Sequence, residues 1–269
     1  MRFNTIILIL LSLTTEAAEN VFENGNAAFS RGEYENAITE YRKILDTNRT
    51  SAAIHHNLAN AYFELGRTQH NDLSGDFTGL GRAIYHYRIA RQLEPRDRIN
   101  RAHLKQAREY VHGQAPREPV MHEFTGYLTV NEWTIAASLC LTAGLSLLSA
   151  SHAYRPWRGR WTLPICLLLA CGAGIGVMAI IKWQHQTSGD EAVTVREVKM
   201  YKRPLASEDV PDQVAHEDTD PIGDGVELRI VDRLDDKWLK VAFEEGTLKR
   251  NGWVQLGPDK QPNVLIFPN

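Results

Sequence analysis

The residues best suited to chemistry in this chain are ten histidines, three cysteines and scattered acids, and their spacing limits what they can do. His55 and His56 are adjacent, so on a helix they point to different sides, and no His-x-x-x-His pair sets two imidazoles on one helical face. Cys140, Cys166 and Cys171 all fall inside long apolar runs. The polar parts of the chain therefore hold no disulfide, thiol nucleophile or cysteine-based metal site. Asp72 and Asp76 lack the repeated oxygen ligands of a calcium loop. No phosphate-binding glycine loop, Gly-x-Ser-x-Gly elbow or nucleotide fingerprint occurs. The expectation is a protein that is not an enzyme, with no catalytic residue, no metal and no cofactor. A net charge of −3 and a pI of 6.4 give no basic footprint for nucleic acid.

The element that organises the chain is a pair of apolar runs. From Trp133 no charge occurs until Arg155, and from Trp161 none until Lys182. Each is about 20 residues, enough to cross a hydrocarbon core as a helix, and neither shows the polar face of a soluble core helix. The spans are placed at 132–153 and 161–182, joined by a loop at 154–160 that carries Arg155, Arg158 and Arg160 and no acid. Short arginine-rich loops stay cytoplasmic, which puts both flanking soluble parts on the outer side. Gly172 and Gly176 have the small-xxx-small spacing that lets helix backbones approach, and Ala136, Ala137, Cys140, Ala143 and Gly144 offer a matching face on the first span. Residues 1–17 read as a signal peptide with cleavage after Ala17, an uncleaved anchor being the alternative; either exports the segment that comes next.

The exported part, residues 18–113, repeats itself. Asn26 and Asn60, Ala27 and Ala61, Phe29 and Phe63, and Gly32 and Gly66 are each 34 residues apart. A 34-residue period of helix pairs is the signature of the tetratricopeptide repeat. The second helices match as Ala37-Ile38-x-x-Tyr41-Arg42 and Ala83-Ile84-x-x-Tyr87-Arg88, which are 46 apart because 12 residues around Gln69–Thr78 are inserted. A further helix after Pro95, with Ile99, Ala102, Leu104 and Ala107 turned toward the repeats, reads as a cap. Two repeats and a cap fall short of the usual three, so the array is expected to lean on a partner or on itself. The first helices present Asn26, Phe29, Asn57, Asn60 and Phe63 as a partner-binding groove. Asn26 and Asn57 match two asparagine positions by which some tetratricopeptide domains hold a peptide carboxylate. The basic positions of that arrangement hold Phe22, Ile99 and His103, so a generic peptide or protein groove is the expectation.

A linker at 114–131, with Pro116 and Pro119, leads into the first span, and a second linker at 183–191 leaves the other. From residue 192 to 269 the periodicity alternates. Val226–Val231, Trp238–Phe243 and Gly252–Val254 predict short strands, Val264–Phe267 a closing one, and residues 192–224 an early strand with a long loop. A Gly before an alternating strand, a Trp with Val three later, and Gly252-Trp253-Val254 resemble the bacterial SH3 domain; another small β-barrel is the alternative. The fold class is thus multidomain: all-α tetratricopeptide repeats, a two-helix transmembrane hairpin, and a small all-β SH3-like barrel.

That order, with Leu58–Gly66, Leu80–Asp97 and Leu128–Trp133 as its most telling stretches, resembles the BatE-like tetratricopeptide membrane proteins of the Bacteroides aerotolerance cluster. The resemblance implies a bacterial inner-membrane protein with both soluble parts periplasmic, acting as a scaffold in an envelope complex. Its implied partners are von Willebrand factor A-domain membrane proteins, with a link to oxidative-stress tolerance. The alternative is a cell-wall anchor whose SH3-like domain contacts peptidoglycan.

Overall fold

The computed structural model describes residues 20–47, 49–70, 79–113, 126–153, 161–202, 221–235, 237–245, 248–257 and 262–267. The signal at 1–17, most of the insertion, most of the 114–131 linker and the arginine loop at 154–160 lie outside the described residues. The chain forms two compact units. One joins the segment up to Pro116 with Asp190–Phe267; the other is Arg117–Gly189.

The first unit begins with five helices: α1 at 20–30, α2 at Tyr34–Asp46, α3 at Ala52–His70, α4 at Leu80–Leu93 and α5 at Arg98–His112. Small residues let them cross closely. Ala37, Ala59, Ala61, Ala83 and Ala107 are fully buried, and Tyr41 and Tyr87 fill the space between neighbouring helices. Gly25 is required by this packing, since a Cβ there would lie 2.5 Å from Tyr41 Cε1. In α5 the Asp97 carboxylate accepts from the Ile99 amide at 2.8 Å, and Gly113 ends the helix in the left-handed region.

The inward face of α5 differs from its predicted one. Leu104 and Ala107 are buried, but Ile99 is 63% exposed and Ala102 lies outside. Asn100 takes the inward place because its side-chain amide donates to the Tyr87 carbonyl at 3.0 Å, and the apolar positions 104 and 107 succeed it at helical spacing.

The C-terminal part of this unit is a five-stranded antiparallel sheet: β1 Glu191–Thr194, β2 Glu227–Leu234, β3 Trp238–Glu245, β4 Leu248–Gln255 and β5 Val264–Ile266, in the order β4-β3-β2-β1-β5. Leu228, Ile230, Leu239, Val241, Phe243, Val254 and Val264 alternate into its core. Residues 203–220 of the segment joining β1 to β2 lie outside the described residues, but their flanks are bridged between Val198 and Ile222.

The second unit holds α6, Val130–Ala153, and α7, Thr162–Thr187. Their apolar windows have mean hydropathies of 1.6 and 2.4, and only 17% of each window is buried, unlike core helices of a soluble protein. Both are long and apolar enough to cross a membrane. Gly172 faces α6 closely: a Cβ there would lie 2.9 Å from Leu141 Cγ and 3.2 Å from Cys140 Cβ. Gly176 lies opposite Ala137, at 3.9 Å on the same measure, whereas Gly174 faces open space. On α6 the contact side is Ala137, Cys140, Leu141 and Gly144; Ala143 is exposed.

Candidate functional site

The first helices of successive pairs, α1, α3 and α5, share one surface, and the asparagines expected to line a groove are the hydrogen-bonded ties between them. Asn26 Oδ1 accepts from the Tyr41 hydroxyl at 2.7 Å and from Asn57 Nδ2 at 2.9 Å. Asn60 Oδ1 accepts from the Tyr87 hydroxyl at 2.6 Å and lies 3.1 Å from His103 Nδ1. The two repeats thus use the same device: a buried tyrosine on a second helix reaches an asparagine on a first helix. Burial raises the Tyr41 and Tyr87 phenols above their ordinary range, which keeps them neutral donors. Phe29 is half-buried against Tyr34, with ring centroids 5.5 Å apart, and Phe63 is buried edge-on to Tyr110. Of the expected groove residues, then, Phe63 belongs to the core, and the three asparagines brace the helices while remaining half-exposed. The surface they share also carries Phe22, His56, Ile99 and His103.

A second polar cluster, which no sequence pattern marks, ties the sheet to the helices. Helix α4 has no side-chain cap of its own; Asp224, from the turn before β2, accepts from the Leu80 and Gly81 amides, both at 3.0 Å. Burial pushes the Asp224 carboxyl up to about 7, against the opposing pull of those amides and of Arg82. Approach this close needs glycine on both sides. A Cβ on Gly81 would overlap the Thr194 carbonyl, and Gly225, at φ +84°, presses on Val111. Beside this cap, Glu227 pairs with Arg88 at 3.0 Å and Arg108 at 2.8 Å, and Arg88 also pairs with Glu191. Burial alone would raise the Glu227 carboxyl, but Arg108 and Arg88 hold it below the usual range. Phe267 stacks on Tyr85 at 5.3 Å, and the Arg88 guanidinium sits 3.9 Å above the Phe267 ring. The support that a two-repeat array lacks is supplied by the chain's own sheet.

Inside the helices His55 and His86 meet at 3.0 Å through their Nδ1 atoms, with Thr50 Oγ1 on His55 Nε2 at 2.9 Å and the Tyr62 ring parallel to His86. One nitrogen must donate and the other accept, so at least one of the two rings must be neutral. Burial lowers both imidazoles, His86 the more, with His55, Arg82 and Arg42 adding to the effect there. An unfolded histidine titrates near 6.5. Below that pH the unfolded chain binds more protons than the folded one, and stability falls. The melting temperature of the parent should therefore drop between pH 7 and pH 5 more steeply than that of His55→Leu/His86→Phe. The difference should be several degrees, at roughly 2–4 °C per kcal/mol for a domain of this size. Asp224, whose raised carboxyl has the opposite dependence, cancels in that comparison. Parallel pH profiles would show that the pair does not titrate.

The TPR repeat family model matches residues 25–66, which run from α1 into α3. No curated protein matches the chain. TPR repeats mediate protein–protein interaction, and that coarse role comes with the match.

Proposed function

We propose that this protein is a non-enzymatic, membrane-anchored scaffold whose exported repeats bind a protein partner in a bacterial envelope complex. The observation that carries the reading is the TPR repeat match at 25–66 on helices whose first members share one surface. Membrane anchoring rests on α6 and α7, and orientation on the arginine-rich loop at 154–160, whose charge favours a cytoplasmic loop and periplasmic flanks. The helices and the sheet flank the hairpin in sequence yet pack in one compact unit, in keeping with a chain that crosses twice and returns to the same side. The BatE-like resemblance supplies the finer reading: partners among von Willebrand factor A-domain membrane proteins and a part in oxidative-stress tolerance.

The strand order β4-β3-β2-β1-β5, with a long bridged segment between β1 and β2, favours an SH3-like barrel. It supports a second reading, in which the sheet anchors the protein to peptidoglycan. Deleting the sheet would uncap α4, so point probes separate the two readings better. A photoreactive residue at the exposed Ile99 should cross-link one defined membrane protein in intact cells, and Phe22→Glu should abolish the adduct. A probe at Val231, exposed on β2, should give none. Adducts from position 231 alone, with sacculi retaining the protein, would establish the anchor instead.

A further inference from the structure

Three ties hold the sheet against α4 and α5, and each joins a residue before α6 to a residue after α7. The first is the cap. Gly79 opens α4 without a side chain and no acid stands in the first turn, so the Leu80 and Gly81 amides depend on Asp224, both at 3.0 Å. The second is the pairing of Glu227 with Arg88 at 3.0 Å and Arg108 at 2.8 Å. The third is apolar. Val193 and Phe267 belong to the same buried cluster as Ala83, Ile84, Leu104 and Ala107, and a Cβ on Gly225 would stand 3.4 Å from Ile84 Cδ1.

From these ties we propose that the fold of α4 and α5 is a checkpoint on membrane insertion: it completes only when both apolar helices have crossed and the sheet stands on the repeats' own side. This rests on the two-span reading of α6 and α7, and holds whichever side is outside. A chain that crossed once would leave Asp224, Glu227 and Phe267 across the membrane from α4. The dependence runs one way. The sheet closes on a core of its own, with Leu228, Ile230, Leu239, Val241, Phe243 and Val254 all drawn from its strands. Helix α4 has no cap of its own and no third repeat behind it, and a repeat array draws much of its stability from what stacks against each unit. Arg88 and Arg108, 18% and 12% exposed beside Glu227, would open to solvent and to a protease without the sheet.

Trypsin reads this fold, because Arg88 and Arg108 are cleavage points that the ties cover. It is added to right-side-out and inside-out membrane vesicles holding the full chain, and cleavage after positions 88 and 108 is followed by mass spectrometry. Asn131→Cys and Ser188→Cys, with Cys140, Cys166 and Cys171 replaced by alanine, report the side of each flank to an impermeant thiol reagent. In the parent both flanks should label on one side and cleavage should be slow. Deleting residues 162–182 should put the flanks on opposite sides and speed cleavage about tenfold or more. Replacing the same residues with a leucine-alanine span of equal length should restore the shared side and the slow rate. Gly81→Ala should keep the shared side yet speed cleavage, because its Cβ would overlap the Thr194 carbonyl. Alanine favours a helix more than glycine does, so that loss comes from the displaced sheet. Slow cleavage in the deletion variant with its flanks apart, fast cleavage in the replaced-span variant with its flanks together, or an unaltered rate in Gly81→Ala would each overturn the proposal. Flanks that stay together after the deletion would instead refute the two-span reading, and the checkpoint with it.

Discussion

Glu227→Ala should separate the sheet from the helices and destabilise the first unit by about 3–5 kcal/mol, the cost of removing one partner from a buried ion pair. The side chains involved are little exposed: 19% for Glu227, 18% for Arg88 and 12% for Arg108. Losing the carboxylate leaves two guanidiniums facing each other with little water to solvate them. Arg88 would keep Glu191, but Arg108 would lose its Glu227 pair. The consequence extends to α4, because the sheet that carries Glu227 also carries Asp224, the cap of that helix. Hydrogen exchange should accordingly rise at residues 80–83 in Glu227→Ala, and melting should split into two transitions. The contribution is present above the carboxyl's ordinary 4.5 and fades as pH falls through its lower folded value, so parent and variant should converge in acid. Restoring a carboxylate with Glu227→Asp should recover part of the loss. If Glu227→Ala melts as one transition at the parent's temperature, the ion pairs are surface decoration and the sheet is held by apolar contact alone.

A physical division separates the features legible in the sequence from those that were hidden. The repeats were readable because Ala37, Tyr41, Ala83 and Tyr87 recur at fixed local spacing, and local spacing is what helical packing imposes on a sequence. The two long apolar helices were readable because an uninterrupted apolar run of that length is visible in the sequence itself. The long-range contacts were not. Asp224 caps a helix 143 positions earlier, and no local pattern marks a capping residue that arrives from another element. His55 and His86 lie on different helices, so a search for paired histidines along a single helix passes over their contact. Ile99 was misplaced for a related reason: as an isoleucine it suited the inward face, but the hydrogen bond of Asn100 to the Tyr87 carbonyl set the rotation of α5. The spacing of Asn26, Asn57 and Asn60 puts them on one surface, but their role as ties between helices depends on the positions of Tyr41 and Tyr87.

Gly172→Leu should loosen the hairpin while leaving it inserted. A leucine there must occupy space that Leu141 and Cys140 already fill, at 2.9 and 3.2 Å from the first added carbon. Overpacking of this kind costs about 1–3 kcal/mol, and insertion is not impaired because leucine is more lipid-soluble than glycine. The reporter is one turn away. The Cβ of Ala137 lies 3.9 Å from where a Cβ on Gly176 would sit, within the range that a disulfide spans. In a background with Cys140, Cys166 and Cys171 replaced by alanine, Ala137→Cys with Gly176→Cys should oxidise to an intrachain cross-link in native membranes. Adding Gly172→Leu should slow or abolish that product. Adding Gly174→Leu should not, because Gly174 has open space on its own side of α7. Both leucines add the same hydrophobic volume to the same helix, so a difference between them isolates the contact with α6 from any effect on insertion. Equal cross-linking in the two variants would show that α6 and α7 do not depend on the close approach at Gly172. Cross-linking only between chains would make the glycine face a dimer contact.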